Sequence, residues 1–364
     1  MLLAYVVVLI WVVLIALVTL LWSKKESTVQ TNKLGCSLIV PFRDEASSLS
    51  LLIDSLSQQS LSNFEVIFVD DHSSDESAQI VRERLELSKL DSKLLKLEAS
   101  EGKKAALTLG IRSARHDIIV TTDADCQMGA HWLASMLSEF VNEEVNLVSG
   151  PVHLTGYCFI QRFQSLELAS LMGVTAATIQ LNRPTMANGA NLAFRKAIFF
   201  ELDGYDGIDH IPSGDDELFM HKVQRAYTGS VRFNKDEKAK VITPAKSAFS
   251  EMVSQKKRWA SKWRINSRWP TVMLALFVLL VNFSQLVLIY ELLTSVRSDQ
   301  KILWAVLLKF LVEMWLILKV RYDLKEKTNF FDLFASFLLY PVYAIYIGLA
   351  ANFGTYVWKG RKYS

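Results

Sequence analysis

Two carboxylates stand two residues apart in Asp123-Ala124-Asp125, directly after an apolar run that ends at Thr122. Beyond the end of a strand, this spacing can hold a hard divalent cation, and the cation can bridge a diphosphate. An isolated D-x-D triplet is most often a solvated turn. The apolar run before it and the other motifs of the chain favour a metal and phosphate site at Asp123 and Asp125.

A second acidic pair, Asp70 and Asp71, also follows an apolar run. One carboxylate is enough to stabilise the start of a helix. The other is then placed to accept hydrogen bonds from a uracil or a ribose. Ser73 and Glu76 have the spacing of a capping box, which predicts that a helix begins with Ser73 as its N-cap.

Three adjacent acids, Asp215, Asp216 and Glu217, open another predicted helix and exceed what capping needs. Neighbouring carboxylates raise one another's pKa, which is one way to obtain a general base near neutrality. A sugar acceptor hydroxyl needs such a base to attack an anomeric carbon. The alternative interpretation is a plain acidic helix N-terminus.

Basic residues complete the set of chemical candidates. Lys103 begins a predicted helix, where it either faces solvent or pairs with a phosphate. Gln255, Arg258 and Trp259 lie within about one helical turn. They suit a diphosphate leaving group, with Arg pairing with its charge and Trp providing an aromatic wall. A helix lying on a membrane surface is the alternative for this motif.

The elements that would position these residues alternate between strand and helix from Gly35 onward. Strands are predicted at 36–42, 64–71, 93–97, 117–122 and 145–150, and helices at 45–60, 75–90, 103–114 and 130–142. This alternation predicts an α/β fold with a mostly parallel sheet. Ligands of such sheets bind beyond the carboxyl ends of the strands, where the acidic motifs stand.

Hydrophobic residues make up 51% of the chain and concentrate at its two ends, which indicates membrane segments around a globular middle. Residues 2–21 are almost wholly apolar and span about 30 Å as a helix. The basic residues Lys24 and Lys25 follow this stretch and none precedes it, which favours a membrane anchor over a signal peptide. The positive-inside rule then places the following chain in the cytoplasm.

The C-terminal part predicts further membrane contacts. Residues 157–181 read as a helix of the core or of the membrane interface, and the basic, Trp-rich stretch 249–268 as a helix at the headgroup level. Residues 271–290 and 302–320 are long enough to span a bilayer. Within the latter, Lys309 and Glu313 are expected to pair with each other.

A third apolar region, 330–358, is interrupted by Pro341. If it is a fourth span, the basic residues Lys359, Arg361 and Lys362 lie outside, against the positive-inside rule. The alternatives are a tail that breaks the rule and a kinked or re-entrant last segment.

Charge and cysteine content exclude some classes of protein. The net charge is only +3 and the basic residues outside the apolar flanks are scattered, so no nucleic-acid partner is expected. The three cysteines are far apart and show no C-x-x-C spacing, which is typical of buried thiols in a reducing compartment.

Together these motifs resemble those of the family 2 glycosyltransferases, which are GT-A-fold inverting enzymes related to cellulose, chitin and hyaluronan synthases and to ceramide glucosyltransferase. The resemblance covers about residues 35–268. The motifs occur in the family's order: V-P-F-R-D-E, V-D-D-H-S-S-D, E-G-K-K, D-A-D, N-G-A-N-L-A-F-R, G-D-D-E and Q-K-K-R-W. The resemblance implies a Rossmann-like nucleotide-diphospho-sugar transferase domain with N- and C-terminal transmembrane helices.

The family also implies roles for individual residues. The implied donor-binding set is Pro41, Arg43, Glu45, Asp70, Asp71, Lys103 and Asp123. The resemblance also implies that Asp123 and Asp125 bind Mg²⁺ or Mn²⁺. The acceptor and diphosphate set is Asn188, Gly189, Asn191, Gln255 and Trp259. The catalytic set is Asp216, Asp215 and Arg258. Asp216 matches the family's base at the second place of an E-D pair, but this pair is Asp215-Asp216, which leaves a swap of roles open.

We therefore expect four segments: an anchor at 1–23, a GT-A domain at 35–246, an interfacial helix with the Q-x-x-R-W motif at 247–269, and a membrane region of about three helices at 270–358. The expected activity is inverting transfer from a nucleotide sugar, a UDP-sugar first of all, to a lipid or other membrane acceptor on the cytoplasmic side, of the inner membrane in a bacterium. The alternatives are a processive polysaccharide synthase, a non-catalytic nucleotide-sugar-binding subunit of one, and a nucleotidyltransferase.

Overall fold

The computed structural model describes residues 1–24, 34–209, 211, 213–265, 269–295, 300–350, 356–358 and 361–363. The chain divides into two compact units. The first comprises Met1–Lys24, Gly156–Val174 and Lys246–Ser364, and the second comprises Lys25–Thr155 and Thr175–Ala245. Segment 156–174 thus groups with the two chain ends, whereas the sequence placed it inside the 35–246 domain.

The second unit is built on a seven-stranded sheet in the order β3-β2-β1-β4-β8-β6-β9. These strands are β1 (Cys36–Phe42), β2 (Phe64–Asp70), β3 (Ser92–Lys96), β4 (Ile118–Thr121), β6 (Leu147–Ser149), β8 (Leu192–Arg195) and β9 (Val231–Phe233). A smaller sheet contains β5 (Gln127–Met128), β10 (Val241–Pro244) and β7 (Val152–Thr155). The helices are α2 (Leu49–Ser57), α3 (Ser77–Leu87), α4 (Lys103–Ser113), α5 (Trp132–Ser138), α7 (Lys196–Glu201) and α8 (Glu217–Ala226).

The predicted parallel sheet is confirmed for its first four strands, because β1 pairs in parallel with both β2 and β4, and β2 with β3. Strands β1 and β2 are buried along their whole length, which fits a sheet covered on both faces. Strand β8 runs antiparallel to β4 and β6, so the complete sheet is mixed.

Two local predictions are corrected. Helix α3 begins only at Ser77, and its N-cap is Glu76 without a side-chain cap bond, so the capping box at Ser73 does not form. The backbone N–H of Ser73 instead donates to Asp70 Oδ1 at 2.9 Å, because the strand-end carboxylate competes for it. Among the cysteines, Cys36 and Cys126 are buried as expected, but Cys158 is exposed.

The first unit contains the long helices α1 (Leu2–Ser23), α6 (Phe159–Gln180), α9 (Phe249–Ile265), α10 (Trp269–Thr294), α11 (Gln300–Asp323) and α12 (Phe330–Ala350). The residues of α6 from 175 on belong to the second unit. Short strands β11 (Tyr356–Trp358) and β12 (Arg361–Tyr363) form an antiparallel hairpin.

Within the described residues, three helices are long and apolar enough to cross a membrane, namely Leu2–Ser23, Val272–Thr294 and Phe330–Ala350. Helix α11 is of similar length but carries more charge. The expected pair inside it is confirmed, since Lys309 Nζ lies 2.6 Å from Glu313 Oε1. Paired charges of this kind are tolerated within a helix bundle at membrane depth.

Candidate functional site

The carboxyl ends of β1, β2 and β4 meet at one edge of the sheet. In the parallel register, Phe42 at the end of β1 is the partner of Asp70 at the end of β2. Thr121 at the end of β4 pairs with Ile39 of β1, and the D-A-D triplet follows one residue later. The fold thereby brings Asp70, Asp71 and Asp123, which are distant in sequence, to the same edge.

The two acids at the end of β2, Asp70 and Asp71, are buried and accept hydrogen bonds from nearby backbone N–H groups. Asp71 Oδ1 accepts a hydrogen bond from the N–H of Gly102 at 3.0 Å and lies 3.3 Å from His72 Nδ1. Gly102 has a φ of 97°, a left-handed conformation in which glycine has no Cβ to clash. Asp71 thus ties the end of β2 to the start of α4.

The loop after β1 interlocks with the loop after β2. Asp44 Oδ1 accepts from the N–H of Ser74 at 2.7 Å, and the N–H of Glu45 donates to Ser77 Oγ at 2.7 Å. Arg43 Nε lies 3.7 Å from Asp44 Oδ2. Arg43 and Glu45 therefore stand beside the Asp70–Asp71 turn, and their role at a donor pocket stays a prediction.

Lys103, at the first position of α4, joins two acidic motifs. Its Nζ lies 2.8 Å from Asp123 Oδ1 and 3.1 Å from Asp215 Oδ2. Burial alone would lower the pKa of Lys103, but the charges of Asp123, Asp215 and Asp216 raise it well above its usual value. The lysine stays charged and holds the acids together.

The pKa of Asp215 moves in the direction opposite to the one expected from its acidic neighbours. Burial acts to raise it, but the charge and hydrogen bond of Lys103, with the charge of Lys104, outweigh burial and lower the pKa of Asp215. The expectation that clustering raises this pKa is wrong because the lysine pair inserts positive charge among the acids.

Asp216 binds the backbone of Gly189, which lies close to Asp215 and Lys103. Its Oδ2 accepts from the N–H of Gly189 at 2.9 Å, and its Oδ1 accepts from the N–H of Glu217 at 2.6 Å, so it also caps α8. A Cβ at Gly189 would stand 3.2 Å from Asp215 Oδ2 and 3.3 Å from both Asp216 Oδ2 and Lys103 Nζ. Only glycine fits this approach without displacing charged atoms.

The two asparagines beside Gly189 brace the same segment. Asn188 Nδ2 donates to the carbonyl of Gly150 at 2.9 Å. Asn191 is fully buried, donates from Nδ2 to two carbonyls and accepts at Oδ1 from Trp132 Nε1 at 3.0 Å. Both sides of the Asn191 amide are therefore bonded within the protein, and its role at an acceptor stays a prediction.

Lys104 is a residue of this region to which the sequence gave no role of its own. Its buried Nζ donates to the carbonyls of Ile211 at 2.7 Å and Ser213 at 3.1 Å. It thereby anchors the segment that leads to Asp215 and Asp216. Burial lowers the pKa of Lys104 to about 8. The only sign of this role in the sequence was the pair of adjacent lysines in the E-G-K-K motif. Only the fold shows that Lys103 pairs with acids whereas Lys104 binds carbonyls.

Asp123 and Asp125 are the residues that would hold a divalent cation. The side chain of Asp123 is 40% exposed, and carboxylate oxygens are the ligands that Mg²⁺ and Mn²⁺ prefer. Within the described part of the chain, no group of three or more His, Cys, Asp or Glu side chains could hold a metal ion. Two carboxylates suffice when a substrate's phosphate oxygens and water complete the coordination, as is usual for Mg²⁺.

The Q-K-K-R-W motif lies on α9 in the first unit, with Gln255, Arg258 and Trp259 partly buried. Its Lys256 is buried, lies 2.6 Å from Glu167 Oε2 on α6, and has its Nζ 4.5 Å from the centre of the Trp259 ring. Tyr343 of α12 donates to the same Glu167 at 3.3 Å. One carboxylate therefore joins three helices of this unit.

Comparison with known proteins gives a matching family model and a similar fold. Residues 37–201 match the family described as Glycosyl transferase family 2. The mannosyltransferase PcManGT from Pyrobaculum calidifontis, solved with GDP-Man and Mn²⁺, is 16% identical and superposes with a TM-score of 0.57 over 96% of this chain and 94% of that chain. This likeness shows the GT-A fold.

Curated relatives match shorter stretches. The dodecaprenyl-phosphate galacturonate synthase of Rhizobium johnstonii is 32% identical over 122 residues, which are 33% of this chain and 36% of that protein. The undecaprenyl-phosphate 4-deoxy-4-formamido-L-arabinose transferase of Aeromonas hydrophila is 28% identical over 164 residues, 35% of this chain and 48% of that protein. The chain thus spans less than half the length of these two relatives. The chain thus carries, at residues 37–201, a domain that matches glycosyl transferase family 2, and its fold is the GT-A fold.

Proposed function

We propose that the protein transfers a sugar from a nucleotide sugar to a prenyl-type lipid phosphate at the cytoplasmic face of a membrane, with inversion at the anomeric carbon. The observation that carries this proposal is the convergence of Lys103, Asp123, Asp215, Asp216 and Gly189 at the carboxyl edge of the sheet. The two relatives named as prenyl-phosphate sugar transferases support the acceptor class. The long apolar helices support a membrane location.

The donor's nucleotide would lie against Asp70 and Asp71, and its diphosphate would lie near Asp123 and Asp125. Lys103, held between acids, supplies positive charge beside the phosphates. A divalent cation bound by Asp123 and Asp125 would neutralise charge on the departing diphosphate. Arg258 of the Q-K-K-R-W motif is proposed to stabilise the same leaving group.

Asp216 is the proposed base, and the acceptor decides how much it contributes. A hydroxyl must lose a proton to attack the anomeric carbon, so its transfer depends on a carboxylate that accepts this proton. A phosphate monoester has a second pKa of about 6 and is already largely ionised at neutral pH. The same substitution therefore has different effects on the two acceptor classes.

The test measures transfer of radiolabelled sugar from UDP- and GDP-sugars, with Mn²⁺ or Mg²⁺, to a prenyl phosphate and to a neutral lipid alcohol. We expect the wild type to label the prenyl phosphate. Asp216→Asn should lower that rate but leave it measurable, since the amide still accepts one of the two backbone N–H bonds. Asp206→Asn, an exposed acid of the same unit, is the matched control and should have no effect.

Labelling of the neutral alcohol alone, with complete loss in Asp216→Asn, would instead assign a hydroxyl acceptor and a full base role. Product length separates the processive alternative, because a polysaccharide synthase extends its product with each added donor. Donor binding without any labelled product would refute the catalytic proposal.

A further inference from the structure

We infer that α12 does not cross the membrane, but enters and leaves on one face, so that the C-terminal tail lies on the same side as Lys24. The inference goes beyond the proposed transfer reaction and rests on contacts within the first unit. It assigns the apolar outer face of α12 to the acyl chains of the leaflet on that side.

Helices α1 and α11 set the direction of the membrane axis. Trp11 Nε1 donates to Glu313 Oε1 at 2.6 Å, and Trp22 Nε1 donates to Asp323 Oδ2 at 2.8 Å. Ala4, near the start of α1, shares an apolar cluster with Ile302 near the start of α11. The two helices are therefore parallel and nearly in register over about 30 Å, so α11 crosses wherever α1 crosses.

Helix α10 runs the opposite way. It precedes α11 by a short connection, and Leu288 in its second half joins the cluster that contains Ala4 and Ile302. Its first half lies beside a part of α1 that is nearer to Lys24, since the rings of Phe277 and Trp11 have centres 6.3 Å apart. The start of α10 is therefore on the Lys24 side and its end on the Met1 side.

Helix α12 begins at mid-depth on α11. The rings of Phe330, Phe334 and Phe337 all surround Phe310, with centres 6.4, 5.9 and 5.0 Å from it. The connection 324–329 reaches at most about 24 Å, less than the length of about 36 Å of α11. Arg321 Nε also donates to Thr328 Oγ1 at 2.7 Å, so the connection stays beside the last turns of α11.

The second half of α12 turns back toward the start of α10. Gln285 Nε2 donates to the carbonyl of Phe337 at 3.0 Å, whereas a Cβ on Gly348 would lie 2.9 Å from Leu279. As α12 advances about 16 Å between its two contacts, it moves about 9 Å along α10 toward the Lys24 side. A helix crossing to the Met1 side would move in the opposite direction.

Contacts of α12 with α9 agree with this course. The rings of Tyr346 and Phe249 have centres 6.0 Å apart, and Tyr343 packs in a cluster with Met252. Helix α9 precedes α10 directly and so lies at the end of α10 on the Lys24 side. Pro341, which cannot donate a helical hydrogen bond, stands between the two halves of α12.

The outer face of α12 is apolar and exposed, and it includes Phe331, Leu338, Val342 and Leu349. Its inner face carries Asp332, which is buried and accepts two hydrogen bonds from Arg162 of α6 at 2.8 and 3.1 Å. This distribution fits a helix with acyl chains on its outer side and the guanidinium of Arg162 from α6 on its inner side.

The inferred course also removes a conflict in the sequence. Three crossings by α1, α10 and α11 leave the chain on the Lys24 side, and a re-entrant α12 keeps it there. The basic tail residues Lys359, Arg361 and Lys362 then obey the positive-inside rule together with Lys24.

The test is side-specific labelling of single cysteines in sealed vesicles with a membrane-impermeant maleimide. The full chain carries Cys158→Ser to remove the exposed thiol, and Cys36 and Cys126 remain buried. Cysteines are then introduced singly as Ser27→Cys, Ser295→Cys and Ser364→Cys. We expect Ser364→Cys to react from the same side as Ser27→Cys, and Ser295→Cys from the opposite side.

Reaction of Ser364→Cys from the side of Ser295→Cys would overturn the inference, because α12 would then cross. Reaction of Ser27→Cys and Ser295→Cys from one side would also overturn it, by removing the crossing of α10. Neither result depends on the transferase reaction, and loss of sugar transfer would leave the labelling pattern unchanged.

Discussion

Gly189 is packed against three charged side chains of the candidate site. A Cβ added at this position would lie 3.2 to 3.3 Å from side-chain atoms of Asp215, Asp216 and Lys103. Lys103 belongs to one motif and the adjacent Asp215 and Asp216 belong to another, far from it in the sequence. Neither motif alone shows that these groups share a glycine. Close packing of this kind makes the site sensitive to a single methyl group.

We therefore expect Gly189→Ala to reduce sugar transfer at least tenfold, because the methyl group displaces charged side chains that must hold their positions. The unfolding midpoint should fall only modestly, by the equivalent of about 1–2 kcal/mol. The matched control is Gly129→Ala, where a Cβ meets nothing within 4 Å. Initial rates and thermal unfolding of the purified proteins measure both effects. Wild-type rates in Gly189→Ala would show that the approach has no catalytic consequence.

At the scale of elements, the helix that carries the Q-K-K-R-W motif is held by Glu167. Lys256 pairs with this carboxylate from α9 and Tyr343 donates to it from α12. Removing one partner of a buried ion pair leaves the other charge uncompensated and costs about 3 kcal/mol. Removing only the tyrosine hydroxyl costs about 1 kcal/mol.

Glu167→Gln is accordingly expected to lower stability in detergent more than Tyr343→Phe, and to lower kcat if α9 positions the leaving group. Glu251→Gln, which changes an exposed acid on α9, is the control. Thermal unfolding and steady-state kinetics of the three variants check the order. A larger loss in Tyr343→Phe than in Glu167→Gln would contradict the assignment of Glu167 as the joint between the helices.

At the scale of the whole molecule, charges buried among the long helices of the first unit must be balanced internally. Lys309 is buried, pairs with Glu313 at 2.6 Å, and lies 5.2 Å from the centre of the Phe337 ring. Glu313 also accepts from Trp11. An unpaired charge at this depth costs about 3 kcal/mol on insertion scales.

Lys309→Met is expected to destabilise the protein because it leaves Glu313 without its cation. The double variant Lys309→Met with Glu313→Gln should recover part of that loss, since no charge then remains unpaired. Thermal unfolding of the wild type, Lys309→Met, Glu313→Gln and the double variant in one detergent provides the double-mutant cycle, with Lys301→Met as the exposed control. Additive losses in the double variant would contradict a coupled pair.

Much of the fold and of the candidate site could be predicted because it depends on local order. The alternation of buried strands and amphipathic helices specified the parallel half of the sheet, and acids directly after strands had to lie at its carboxyl edge. The i, i+4 spacing of Lys309 and Glu313 specified their pairing. The antiparallel β8 and the small sheet were not predicted, because their strands are short and their pairing is non-local.

What the sequence determined by itself is therefore the set of motifs, their order and the apolar helices, because each depends on neighbouring residues. Only the tertiary structure decided which lysine pairs with Asp123 and Asp215, why the pKa of Asp215 falls, and how α12 is directed. Those outcomes depend on distances between residues far apart in the chain, and burial and charge act through distance in space. The tertiary structure places Lys103 between Asp123 and Asp215, and it places Gly189 beside Asp215 and Asp216.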